Sequence, residues 1–355
     1  MSNKKVSAAP TTPEREFHLV CSSGGSRAIL GSAGVLLACN QAGISKFKSI
    51  GGISGGSIPT VLYSSGMDAK TCLSTALDMD FSSLLTRRAS FFRILVAYFM
   101  QRRNEKVRPV NGVLTSEKLG DFVEGFLKDG SLWPKGYWTM AIAEDAQIVF
   151  SENGVFEIRP DGHLRVISCD PGPLGTAVRG SCAVPGIISA VEYKNKILFD
   201  GALGPESRVP AGVPMRLYGA QPRDIIACDV GDEDSKQAQR VTKLWKMVCG
   251  DDCVPAVEDP IYNKSHGLTW IEPKITSVRS LQFNLTRDQK WEAVMAGFVA
   301  SVPELALSGI LTGDRLVGAQ ALVKEYEAAL LQTETGKVGD LTKLVEAMLS
   351  KNGLL

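Results

Sequence analysis

Gly52-Ile53-Ser54-Gly55-Gly56 lies between a short apolar run that begins at Phe47 and the segment Ile58-Pro59-Thr60-Val61-Leu62-Tyr63. The order is strand, tight turn and helix, with a serine at the bend. Flanking glycines let the backbone turn sharply enough to present the hydroxyl outward, at a helix N-terminus. That helix end is partly positive and favours a nearby alkoxide or oxyanion. Ser54 is therefore the candidate nucleophile of a hydrolase, and Gly52, Gly55 and Gly56 shape its elbow. An ordinary glycine-rich turn has the same composition, so the surrounding chain must carry the rest of the argument.

Upstream, Phe17 to Ser22 reads as a first strand, Ser23-Gly24-Gly25-Ser26 as a glycine loop, and Ile29 to Gln41 as a helix ended by Gly43. Phe47 to Ile53 is the second strand, and the helix after Ser54 runs to about Ser65. Strand–helix–strand–helix predicts the α/β class, with a mainly parallel central sheet flanked by helices. Downstream, Ser116–Lys128 is a helix with Leu119, Phe122, Val123, Phe126 and Leu127 on one face. Strands are expected at Trp138–Ala143, Gln147–Phe150 and Leu164–Ser168. Glu192–Phe199 forms a hairpin turning at Lys194-Asn195, and Asp224–Val230 is a buried strand. Helices then dominate: Ser235–Cys249, Thr286–Val302, Asp314–Thr333 and Asp340–Lys351. The simplest division is a flexible tail over 1–15 and one catalytic domain over 16–355. That domain has a cap insertion near 66–135 and a helical C-terminal part from about 235.

The chain has 355 residues and a formal net charge of +1, so no global basic excess argues for nucleic acid. Met1 to Glu16 is polar and has no apolar core of a secretory signal. No apolar run of about 18 residues suggests a membrane span. The expected setting is cytoplasmic with peripheral membrane association, with export by a signal-less route left open. Most of the eight cysteines sit in apolar runs, which suits buried, reduced thiols better than a disulfide framework. Cys249 and Cys253 are four apart without a second Cys/His pair, so no metal and no cofactor is expected.

A serine nucleophile needs a base. Of the three histidines, His18 lies in the first strand, His163 in a turn and His266 in a loop. The order Ser54, Asp200, His266 formally matches an α/β-hydrolase triad. That fold, however, places several strands before its nucleophile, and here only one βα unit precedes Ser54. Asp200 is the better candidate. It ends the strand Lys196-Ile197-Leu198-Phe199 and is followed by Gly201-Ala202, so it projects from the sheet edge, where partial burial raises its pKa. The same pair also fits an Asp-Gly turn closing a hairpin. The loop Ser22-Ser23-Gly24-Gly25-Ser26-Arg27-Ala28 offers successive backbone N–H groups, a small nest for a nucleotide phosphate or an oxyanion. Arg27 adds a charge suited to phosphate.

The run Ser22 to Leu36 resembles the opening of the catalytic domain of cytosolic, group IV phospholipase A2, and Gly52 to Ser57 resembles that family's nucleophile turn. Val178-Arg179-Gly180-Ser181-Cys182-Ala183-Val184-Pro185-Gly186 and Phe199-Asp200-Gly201-Ala202 are similar to the wider patatin-like group. The resemblance implies the patatin-like fold and a Ser54–Asp200 dyad without histidine. It also implies oxyanion donors at Gly24 and Gly25, with Ser26 beside them, and Arg27 steadying a lipid phosphate or the oxyanion. Ser23 stands where a first glycine is usual, Gly201-Ala202 replaces a double glycine, and no C2 module accompanies the domain.

The implied activity is that of a phospholipase A or lysophospholipase acting through an acyl-enzyme on phospholipid or lysophospholipid. An acyltransferase using the same acyl-enzyme, or a silent lipid-binding module, is the alternative. An activating partner or ligand fits an enzyme that would otherwise attack its own cell's lipids. Leu84–Arg108 mixes aromatic and basic residues, as a segment lying on an anionic lipid surface would. Replacing Arg102, Arg103 and Lys106 with Glu is expected to weaken partitioning to anionic liposomes in a sedimentation assay while soluble-ester turnover survives. Unchanged partitioning would remove the interfacial role.

Overall fold

The computed structural model describes residues 15–88, 90, 112–127, 131, 133–143, 146–159, 162–204, 208–231, 262–334 and 340–355. The expected N-terminal tail, the helix Ser235–Cys249, Cys249, Cys253 and the basic residues Arg102, Arg103 and Lys106 fall outside them, except for Arg15 at the end of the tail.

The chain opens with β1 (His18–Cys21), α1 (Gly25–Gln41), β2 (Ser49–Gly52), α2 (Ser57–Ser64) and α3 (Ala69–Asp78). The short β3 (Thr86–Arg87) and β4 (Gly112–Thr115) lead to α4 (Glu117–Glu124) and then to β5 (Tyr137–Ala143), β6 (Ala146–Ser151), β7 (Gly154–Ile158) and β8 (Leu164–Ser168). Next come α5 (Leu174–Ser181), β9 (Gly186–Ile188), β10 (Val191–Tyr193), β11 (Lys196–Asp200), α6 (Gly212–Tyr218), β12 (Ile225–Cys228) and β13 (Thr269–Ile271). Three helices end the chain: α7 (Arg287–Leu307), α8 (Gly313–Glu334) and α9 (Leu341–Lys351).

The main sheet runs β13-β12-β1-β2-β5-β6-β7-β8. From β13 to β5 every neighbour is parallel; beyond β5 the strands form an antiparallel meander. Every residue of β1, β2, β12 and β13 is buried. Continuous burial is what a parallel strand covered on both faces demands, and it explains why these segments read as uniform apolar or small-residue runs rather than as alternation. The α/β class, the parallel centre and the helical C-terminal part are all as the sequence predicts. A separate small sheet joins β3, β4 and β9.

The site depends on where the first helix lies. α1 is buried from Ser26 to Cys39, pressed between the sheet and α7. A Cβ on Gly34 would stand 1.9 Å from the Val294 carbonyl oxygen, and one on Gly297 would stand 2.1 Å from that of Gly31. The two helices therefore touch backbone to backbone, closer than side chains at the contact normally permit. Gly34→Ala is expected to lower stability by about 1–3 kcal/mol, the usual cost of overpacking. Gly318 in α8 has nothing within 4 Å, so Gly318→Ala should be neutral or stabilising by up to about 1 kcal/mol. Denaturant melts of the two variants check both signs.

Candidate active site

Ser54 follows directly on β2 and Ile53, and its φ is 52°. A left-handed conformation costs a non-glycine residue roughly 1–2 kcal/mol, and it persists only where the surroundings over-determine it. Here they do. The Ser54 N–H donates to Ser181 Oγ at 3.0 Å. Its carbonyl accepts from Ser57 Oγ at 2.6 Å and from Cys182 Sγ at 3.2 Å. The neighbouring glycines are needed for space. A Cβ on Gly55 would meet the Gly25 carbonyl oxygen at 2.1 Å, one on Gly56 that of Ser22 at 2.3 Å, and one on Gly52 that of Cys21 at 2.7 Å. The elbow thus lies against the β1–α1 loop, which brings Gly25 next to the nucleophile turn.

Asp200 reaches the same place from the other direction. Gly52 of β2 stands opposite Thr139 of β5, in parallel register. Asp200 of β11 stands opposite Ala141, in antiparallel register. β6 pairs β5 along its other edge from Trp138 to Ala143, so β2 and β11 share one edge and meet end to end. Their partners stand two positions apart along β5, about 7 Å at roughly 3.4 Å per residue. A Cβ on Gly201 would stand 2.3 Å from the Met140 carbonyl oxygen and 3.0 Å from Ile53 Cγ2; glycine after Asp200 is what lets the two strand ends approach.

The Asp200 carboxyl is buried, 3% exposed. Its Oδ1 accepts the Ala202 N–H at 3.0 Å. Oδ2 is buried without a hydrogen bond of ordinary geometry among the described residues. Burial pushes the pKa up from the ordinary 3.8 to about 6, against the opposing pull of the Ala202 amide and of the Ser54 side chain. The Ser54 side chain thus stands near this carboxyl, with no hydrogen bond between the two.

Gly24 and Gly25 have φ of 142° and 54° and start α1. Among the described residues no protein acceptor takes either N–H, and both residues sit at the positive end of a 17-residue helix. Ser26 differs from its expected part in this cradle. Its N–H donates to the Ser280 carbonyl at 2.9 Å and its hydroxyl to the Gln282 carbonyl at 2.7 Å, so both protons are committed. Arg27 also differs from expectation. It is buried, and its guanidinium donates to the Val230 and Gly231 carbonyls at 2.8 and 3.4 Å. It ties α1 to the loop after β12 and does not line the cavity beside Ser54.

That cavity, about 60 Å³, is lined by Gly25, Ser26, Ser54, Gly55 and Cys182 and otherwise by apolar side chains, among them Ile29, Ile58, Phe81, Leu119, Ile188 and Phe283. No histidine contacts Ser54 or Asp200 among the described residues. His18 is buried in β1 against Ser49 Oγ at 2.7 Å, His163 is exposed, and His266 caps a surface turn through Asn263. The six described cysteines are free thiols, all buried but Cys169. No cluster of three or more potential metal ligands occurs among the described residues, and no described helix is long and apolar enough to cross a membrane.

The patatin-like phospholipase family model matches residues 19–213, more than half of the chain, and spans the glycine loop, the elbow and Asp200. The chain belongs to the patatin-like phospholipase family. Membership supports a lipid ester hydrolase. Among solved structures, the chain is similar to VipD from Legionella pneumophila (13% identity, TM-score 0.45), covering 95% of this chain and 79% of VipD. It is also similar to the type III effector protein ExoU, at 15% identity and TM-score 0.42, covering 97% of this chain and 70% of ExoU. A third likeness is to human GIVD cytosolic phospholipase A2 in complex with methyl gamma-linolenyl fluorophosphonate. It has 13% identity and TM-score 0.41, and covers 86% of this chain and 60% of that one. No curated protein sequence matches the chain.

Sequence reading missed Ser57, Ser181 and Cys182 as supports of the elbow. The one trace of the latter two was the similarity of Val178–Gly186 to the family, which names a segment but no contact.

The buried carboxyl has a measurable consequence for stability. Its folded pKa lies above its unfolded value, so its contribution is full below about 3.8, declines through the interval up to about 6 and is gone above it. Above that interval the ionised group costs the fold about 3 kcal/mol, at about 1.4 kcal/mol per tenfold. Asp200→Asn keeps the Ala202 hydrogen bond and removes the charge. It is expected to be more stable than wild type by up to that amount at pH 8 and no more stable near pH 3.5, as read by urea melts at the two pH values.

Proposed function

We propose that the chain is a lipid acyl hydrolase of the phospholipase A or lysophospholipase kind, with Ser54 as nucleophile and Asp200 as its base. The observation that carries this reading is the end-to-end meeting of β2 and β11, which brings a left-handed serine and a buried carboxylate together beside an apolar cavity. The cavity lining suits a fatty-acyl chain, whose burial is favourable at about 25 cal/mol per Å².

In this mechanism Asp200 Oδ2 takes the proton from Ser54 Oγ as Oγ bonds to the ester carbonyl carbon. The Gly24 and Gly25 amides hold the resulting oxyanion; one such donor is worth about 3 kcal/mol of barrier. The bond from that carbon to the glycerol oxygen then breaks, and the proton on Asp200 passes to the departing alcohol. Water attacks the acyl-serine, gives its proton to Asp200, and Ser54 leaves with that proton while the fatty acid departs. A pKa near 6 suits the exchange: the carboxylate is ionised at neutral pH yet basic enough to accept a proton. Because the ester sits in a bilayer or micelle, the enzyme works from the aqueous side as a peripheral protein.

Mixed phospholipid vesicles should release fatty acid and lysolipid, read by mass spectrometry, and both products should vanish in Ser54→Ala and fall at least about 100-fold in Asp200→Asn. A fluorophosphonate probe should label wild type and not Ser54→Ala. kcat/KM should fall about tenfold per pH step below about 6. Retained turnover in Ser54→Ala would overturn the assignment.

A further inference from the structure

Ser54 is left-handed and opens a short 3-10 turn before α2; its carbonyl accepts the Ser57 N–H within that turn, and its N–H and carbonyl take further partners from side chains. Two of those partners are consecutive: Ser181 Oγ takes the N–H at 3.0 Å, and Cys182 Sγ donates to the carbonyl at 3.2 Å. The next residue serves the other half of the site, because the Ala183 carbonyl accepts the Asp200 N–H at 3.1 Å. We infer that Ser181-Cys182-Ala183 is a positioning segment that sets Ser54 and Asp200 relative to one another. The inference rests on reading those two residues as nucleophile and base.

The segment is itself fixed. Ser181 and Ala183 are fully buried. The Cys182 N–H returns to the Val178 carbonyl at 3.0 Å and the Ala183 N–H to that of Gly180 at 3.2 Å. Gly180, in α5, packs against β11: a Cβ on it would stand 2.8 Å from Leu198 Cδ1, so the end of α5 rests on the strand that carries Asp200. Burial, with the Asp200 charge adding to it, pushes the Cys182 thiol up to about 12. The thiol therefore stays protonated and remains a donor across the working pH range. Three adjacent residues thus bond to two groups that arrive from strands of opposite direction. A shift of this segment changes the Ser54–Asp200 distance; of its three residues Cys182 also lines the cavity beside Ser54, whereas Ser181 and Ala183 do not.

Such a device acts on kcat and leaves KM alone, since misplacement of reacting groups by about 1 Å costs on the order of 100-fold in rate. Ser181→Ala and Cys182→Ala are each expected to lower kcat on a soluble ester, and the rate of fluorophosphonate inactivation, by about 10- to 100-fold; in Ser181→Ala, which leaves the cavity lining intact, KM stays within about twofold. Cys182→Ser keeps a donor and should recover most of the loss. Folded alanine variants with wild-type kcat, or Cys182→Ser no better than Cys182→Ala, overturn the inference. If Ser181→Ala does not fold, the Cys182 pair decides. If Cys182→Ala does not fold either, the segment is a scaffold only and the inference falls. Ser54→Ala and Asp200→Asn run alongside. Turnover retained in those two removes the dyad itself, whereas turnover lost there and kept in the Ser181 and Cys182 variants removes only the positioning role.

Discussion

Everything at this site depends on one edge of β5. β2 ends against it running one way and β11 ends against it running the other, two residues apart. A serine and a carboxylate from distant parts of the chain are thereby aligned by sheet hydrogen bonding. The glycines at 52, 55, 56 and 201 let the strand ends and the neighbouring loop come within van der Waals reach; at each of them a methyl group would strike a backbone carbonyl.

The electrostatics follow from that crowding. Water is excluded from Asp200, and burial outweighs the two interactions that favour its ionised form, so its proton affinity rises. The positive end of α1 lies against the Ser54 elbow, and among the described residues the Gly24 and Gly25 amides have no protein acceptor. A carboxyl of raised proton affinity and a helix dipole thus lie near one hydroxyl, an arrangement in which charge can develop with little reorganisation.

Much of this was legible in the chain. β1, α1, β2 and the elbow are apolar runs punctuated by glycine, and the hairpin of β10 and β11 announces itself at Lys194-Asn195, both of which adopt φ above zero. Other parts depended on contacts the sequence does not display. α5 contains Gly175 and Gly180, poor helix formers that are there for close approach to α4 and β11. β13 is three residues long and owes its existence to pairing with β12. The helix expected over Thr286–Val302 runs on through Pro303 to Leu307. Ser26 and Arg27 looked like site residues because they follow the glycine loop. Their partners lie more than 200 positions away, at Ser280, Gln282, Val230 and Gly231.

The bare contact between α1 and α7 has a mechanical meaning. α7 lies beyond the stretch that matches the family, as do Ser280 and Gln282, which grip the first turn of α1. With glycine on both sides of the helix crossing there is no compliant side-chain layer to absorb a displacement. α7, Ser280 and Gln282 thus brace the first turns of α1, and with it the loop against the Ser54 elbow, from outside that stretch.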